Sequence, residues 1–163
     1  CTVNLPVRKD MVVQQEAVES GGEPLISNQA GKPNTPSDQP LDRGLVLLAE
    51  DNMANIITIG DYLQSNGYQI VVAHDGSEAI TKAEEISPNI ILMDIQMPIV
   101  NGLEAIDRLR ADPRFGSTPI IALTALAMPG DRERCLEAGA NEYMSKPISL
   151  KMLRQKIEGF LET

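Results

Sequence analysis

From Gly44 onward the chain alternates short, wholly apolar runs with longer stretches whose apolar residues recur at helical spacing. The first run, Leu45-Val-Leu-Leu-Ala49, stops at Glu50-Asp51, and Met53, Ile56, Ile57, Gly60 and Leu63 then mark a helix that Gly67 ends. A second strand is predicted at 70–73, followed by a helix on Ala79, Ile80, Ala83 and Ile86 that closes before Pro88. A third strand at 90–93 stops at Asp94, and Leu103, Ile106 and Leu109 mark a helix closed by Asp112-Pro113. A fourth strand at 120–123 stops at Thr124, with a helix over 131–138 capped by Gly139. A weaker fifth strand at 142–144 leads to Lys146-Pro147, and Ser149 caps a last helix carrying Leu150, Leu153, Ile157 and Phe160.

Strands such as 90–93 are apolar at every position, the mark of burial on both faces in a parallel sheet. Five of them alternating with five helices, joined by short loops, predict one doubly wound α/β domain. The expected sheet is five-stranded and parallel, flavodoxin-like, with strand order 2-1-3-4-5.

Residues 1–43 have a different texture. After the short apolar stretch 3–7 the segment is polar and carries Gly21, Gly22, Pro24, Pro33, Pro36 and Pro40. It holds too little apolar surface to offset the entropy of ordering, so 8–43 reads as a flexible Pro/Gly-rich linker and 44–163 as the folded domain.

Composition narrows the partners. The chain has 163 residues, 42% of them hydrophobic, enough for a true core, and a formal net charge of −9. That charge argues against nucleic acid as a direct partner, because duplex binding rests on cations that neutralise phosphates. No apolar run approaches the roughly 18–20 residues of a membrane span, so no membrane contact is expected, and nothing resembles a signal peptide. Two cysteines, Cys1 and Cys135, suggest neither a disulfide framework nor a zinc site, and a cytoplasmic setting is expected.

In open α/β sheets the chemistry lies beyond the carboxyl ends of the strands. Those ends deliver Glu50 and Asp51, Asp94, Thr124 and Lys146, while His74 and Asp75 follow an edge strand and read as a turn. Three converging carboxylates repel one another unless a cation intervenes, and oxygen-only ligands favour Mg²⁺, with Mn²⁺ as a substitute. Mg²⁺ commonly keeps places for phosphate oxygens. A carboxylate is already ionised at neutral pH and can attack phosphorus without a general base; Lys146 and Thr124 would then meet the phosphoryl oxygens. Each residue also has a plainer reading: Glu50 and Asp51 as helix-start charges, Thr124 as a β-branched strand residue, Lys146 as a solvated cation.

The pieces in order are Leu-Ala-Glu50-Asp51-Asn52, Asp94-Ile-Gln-Met-Pro98-Ile-Val-Asn-Gly102, Thr124-Ala125 and Tyr143-Met-Ser-Lys146-Pro147. Together they resemble the receiver domain of two-component response regulators across residues 44–161. The resemblance implies that Asp94 accepts a phosphoryl group from a phosphohistidine. Glu50, Asp51, Asp94 and the backbone carbonyl of Gln96 would hold Mg²⁺, and Thr124 and Lys146 would contact the phosphoryl group. Thr124 and Tyr143 would form a conformational switch, and the Lys146–Pro147 bond would be cis. Asn101 and Val100 depart from the commoner acidic residue and Met, which bears on partner preference more than on chemistry.

Cys1-Thr-Val-Asn-Leu-Pro6 resembles the last strand of a histidine kinase ATPase domain, so 1–7 is read as the end of such a domain and the chain as the tail of a hybrid sensor histidine kinase. The fragment carries no ATP-binding glycine boxes and is not a kinase alone. Its expected partners are a histidine kinase or a histidine phosphotransfer protein. With no output domain in view after the last helix, its signal is expected to pass to another protein. Two other readings compete. One is an aspartyl-nucleophile, Mg²⁺-dependent phosphatase, disfavoured because Gln96 stands where that chemistry wants a second Asp. The other is a receiver used as a phosphorylation-independent scaffold.

Overall fold

The computed structural model describes residues 42–125 and 128–162. The readings for 1–7 and for most of 8–43 fall outside them. Strand β1 (Leu45–Ala49) leads to α1 (Met53–Ser65), β2 (Gln69–Ala73) to α2 (Gly76–Ile86), and β3 (Ile90–Asp94) to α3 (Gly102–Ala111). A 3₁₀ turn, Pro113–Phe115, precedes β4 (Ile120–Thr124), α4 (Asp131–Ala138), β5 (Glu142–Ser145) and α5 (Leu150–Leu161). All four strand pairings are parallel, as the alternation of elements predicts, and the order is β2-β1-β3-β4-β5, the one expected by analogy with flavodoxin-like folds.

Two cores explain why the strands are apolar throughout. On one face Leu47, Ile91, Met93, Ile120 and Ala122 pack with Ala79, Ala83, Ile106 and Leu109 of α2 and α3. On the other, Val46, Leu48, Ile90, Leu92 and Leu123 pack with Ile59, Leu63, Leu153 and Ile157 of α1 and α5. Central β3 is buried at all five positions. Fully burying one such side chain is worth about 1.5–3 kcal/mol, so each sheet face fixes its register firmly.

Side-chain caps set the helix starts. Asn52, Asp75, Asn101 and Ser149 each accept a backbone N–H from the first turn. At α2 the cap is reciprocal: Asp75 Oδ1 accepts the Glu78 N–H at 2.8 Å, and Glu78 Oε1 accepts the His74 N–H at 2.7 Å. Asp75→Ala is expected to cost about 1 kcal/mol, seen as a lower urea midpoint with an unchanged slope.

Four expectations need correction. Met53 and Ile57, placed on the α1 stripe, are 60% and 54% exposed, and the buried set is Ile56, Ile59, Gly60 and Leu63. The i, i+3, i+4, i+7 period holds, but from Ile56 rather than Met53. The stop at Asp112-Pro113 ends α3 and also starts the 3₁₀ turn, where Asp112 accepts the Arg114 N–H and Phe115 is buried. Strands β2 and β5 each gain one residue at an end. The folded body also begins before Gly44: the Arg43 N–H donates to Gly67 O at 3.1 Å, and its guanidinium pairs with Glu158 at 3.1 Å.

Candidate functional site

Strands β1 and β3 are neighbours, and the connection leaving β1 runs to β2 on one side while that leaving β3 runs to β4 on the other. That reversal opens a crevice above the carboxyl ends of β1 and β3. Glu50 and Asp51 follow β1 directly, Asp94 is the last residue of β3, Thr124 the last of β4, and Lys146 follows β5. Parallel pairing brings these ends level, with Thr124 opposite Ser145 and the Lys146 N–H donating to Thr124 O at 2.7 Å.

One ligand oxygen each from Glu50, Asp51 and Asp94 lies within 4.8 Å of the others. Glu50 and Asp94 are buried, whereas Asp51 is exposed. The Lys146 ammonium bridges the buried pair, donating to Glu50 Oε2 at 2.9 Å and to Asp94 Oδ2 at 3.1 Å. Glu50 is held further by the Asn52 N–H on Oε1 at 3.1 Å and the Asn55 carboxamide on Oε2 at 3.2 Å. Asp94 Oδ1 accepts the Gln96 N–H at 3.0 Å.

These contacts divide the charge unevenly. Burial pushes Glu50 up, but the Lys146 ammonium and the Asn52 N–H together hold it below the ordinary carboxylate value. Burial and then the Glu50 charge push Asp94 up to about 6, against the pull of the Gln96 N–H and Lys146. Burial lowers Lys146, but its two carboxylate partners outweigh this and raise it, so it stays an ammonium. The Lys146 ammonium pairs with two of these three carboxylates, which leaves an excess of negative charge at closely set oxygens. Such a donor set suits a hard divalent cation.

Thr124 is buried, and Tyr143 is half-buried one pleat step further down, opposite Ala122. Both face the α2–α3–α4 side of the sheet, where Tyr143 packs against the core. The Lys146–Pro147 peptide is cis. The fold thus brings together Glu50, Asp51, Asp94 and Lys146, sets Thr124 and Gln96 beside them, and keeps Tyr143 below the rim. His74 is exposed after edge strand β2.

Sequence reading missed two contributors. Asn55 steadies Glu50 from the first turn of α1, and its only sequence signal is its place three residues after the capping Asn52. Gly102 lets α3 start against the backbone of Asp94, where an added Cβ would lie 2.2 Å from Asp94 O.

Known proteins agree with this geometry. Residues 46–158 match the model of the response regulator receiver domain. The polar-differentiation response regulator DivK of Brucella anthropi is 40% identical over 116 residues, which cover 71% of this chain and 94% of that protein. Among solved structures, the receiver domain of sensor histidine kinase PA1611 from Pseudomonas aeruginosa, with a magnesium ion coordinated in its active site cleft, is 38% identical at a TM-score of 0.69. The match covers 74% of this chain and 98% of that one. The receiver domain of a signal transduction histidine kinase from Syntrophus aciditrophicus is 29% identical at a TM-score of 0.69, covering 73% of this chain and 90% of that one. With sheet order, strand-end residues and family model in accord over most of its length, the chain belongs to the response regulator receiver domain family.

Proposed function

We propose that Asp94 is the phosphoacceptor of this receiver and takes its phosphoryl group from a phosphohistidine on a histidine kinase or histidine phosphotransfer protein. The observation that carries the reading is a buried carboxylate at the β1/β3 crevice, held between an acidic partner and the Lys146 ammonium. An Asp94 carboxylate oxygen attacks phosphorus, the P–O bond forms as the P–N bond breaks, and the imidazole leaves with the bonding pair. Glu50, Asp51, Asp94 and the Gln96 carbonyl would hold Mg²⁺, or Mn²⁺ in its place, which when bound supplies positive charge to the phosphoryl oxygens. Lys146 supplies a second, compact cation, and Thr124 a hydroxyl donor.

The same residues suggest the readout. Phosphorylation moves negative charge from the buried carboxylate outward onto phosphoryl oxygens, and the Thr124 hydroxyl turns toward them. Space then opens behind Thr124 on the sheet face it shares with Tyr143, whose ring turns inward. The changed surface lies along α4, β5 and α5.

The parent chain is read as a hybrid sensor histidine kinase, with 1–7 closing its ATPase domain, 8–43 a linker and the receiver working in the cytoplasm. The similarity of residues 1–6 to that final strand and the kinship with receivers of histidine kinases support this.

Incubation with acetyl phosphate and Mg²⁺ tests the central claim. An acid-stable, base-labile adduct is expected on the wild-type chain and none on Asp94→Asn. An equal adduct on the variant would sink the assignment. Sustained turnover of a small phosphate ester would favour the phosphatase reading. A protein partner bound equally by wild type and Asp94→Asn, with or without phosphodonor, would favour the scaffold.

A further inference from the structure

The loop from Ile95 to Asn101 leaves Asp94 and returns to it. Its base is closed by the Gly102 N–H donating to Ile95 O at 3.0 Å, and its far side by the Gly76 N–H donating to Val100 O at 2.9 Å. Met97 and Val100 are buried anchors. Between them Ile99 has φ +68° and is 84% exposed.

That combination is unfavourable on both counts. A β-branched side chain in the left-handed region is strained, and Gly or Asn would take the same backbone with less cost. The side chain is too exposed to return that cost through core burial. Its anchors leave the backbone little room to relax, so the side chain stands outward on a rigid mount. The surrounding rim, Ile95 to Asn101, carries no charged residue in a chain of net charge −9. Strain of this kind, held in place by its surroundings, collects where a side chain is used.

We propose that Ile99 is a recognition residue, presented beside the phosphoacceptor to touch an apolar surface on the protein that delivers the phosphohistidine. The inference rests on the reading of Asp94 given above. Ile99 is four residue steps from the loop base at Ile95, so it lies within about 14 Å of that base. A protein donor covering roughly 800 Å² around Asp94 has a footprint of roughly 16 Å radius, which takes in such a residue. A small donor such as acetyl phosphate reaches Asp94 without covering the rim.

The two donor types separate the roles. The variants are Ile99→Gly and Ile99→Val. The protein donor is a purified, prephosphorylated histidine phosphotransfer domain, chosen from a panel because it labels the wild-type chain. Ile99→Gly is expected to keep or raise Tm and to keep acetyl phosphate labelling within about twofold, while phosphotransfer kcat/KM falls by about tenfold or more. Ile99→Val is expected to stay near wild type with both donors. Wild-type phosphotransfer by Ile99→Gly, or equal losses with both donors, overturns the proposal. A wild-type chain that neither acetyl phosphate nor any member of the panel labels overturns the reading of Asp94 beneath it, which is a separate result.

Discussion

Asp94→Asn is expected to stabilise the domain by about 3 kcal/mol at pH 7.5 in the absence of divalent metal, even as it removes the proposed phosphoacceptor. Burial and the neighbouring Glu50 raise the folded-state value of Asp94 from its ordinary 3.8 to about 6. Below pH 3.8 both folded and unfolded chains hold the proton and the group contributes nothing. Between 3.8 and 6 the folded chain holds it and the unfolded chain does not, so stability falls as pH rises through that window. Above 6 the full cost, about 1.4 kcal/mol per unit, has been incurred. A neutral carboxamide can still accept the Gln96 N–H and leaves Lys146 paired to Glu50, so it escapes that cost. Urea unfolding from pH 4 to pH 8 should show wild type and variant converging at the acid end and separating above pH 6. Titrating Mg²⁺ at pH 7.5 should narrow the gap, because metal bound by the folded wild type stabilises it. Parallel curves across the pH range would refute the electrostatic account.

That cost explains which parts of the site can be read from a sequence. A buried parallel strand is apolar at every position, so the first polar residue after Leu92-Met93, or after Ala122-Leu123, stands out as a strand end on a functional rim. Asp94, Thr124 and the pair Glu50-Asp51 are legible for that reason, and Lys146 because it follows the weakest strand into a proline. The parallel sheet follows from alternation and loop length, while the strand order comes from analogy with flavodoxin-like folds. What escapes is set by tertiary approach rather than by local pattern. No sequence feature tells that the Lys146 ammonium spans Glu50 and Asp94. The exposed Met53 and Ile57 continue a helical period that Ile56, Ile59 and Leu63 use for the core, and periodicity alone cannot rank two adjacent stripes. Ile99 reads as an ordinary apolar loop residue, since its positive φ is imposed by anchors on either side.

Gly102 is the residue of this second kind with the largest predicted effect. At the first position of α3, an added Cβ would lie 2.2 Å from Asp94 O, 2.7 Å from Ile95 Cα and 2.9 Å from Asp94 C. All three are backbone atoms at the end of the central strand, so no side-chain rotation relieves the overlap. The start of α3 must move off β3, lengthening the 3.0 Å bond from the Gly102 N–H to Ile95 O and shifting the strand end that carries Asp94. Gly102→Ala is therefore expected to cost about 3 kcal/mol, at the upper end for overpacking, although alanine is the better helix former. Gly159→Ala is the control: its Cβ would meet nothing within 4 Å, and the variant should gain up to about 1 kcal/mol from helix propensity alone. Urea midpoints measure both. On the proposed role of Asp94, acetyl phosphate labelling in the folded state should fall in Gly102→Ala and hold in Gly159→Ala, because only the first displaces the Asp94 backbone. A Gly102→Ala chain as stable as wild type would mean that α3 can slide off β3 at little cost, and that the position of Asp94 is set by the strand alone.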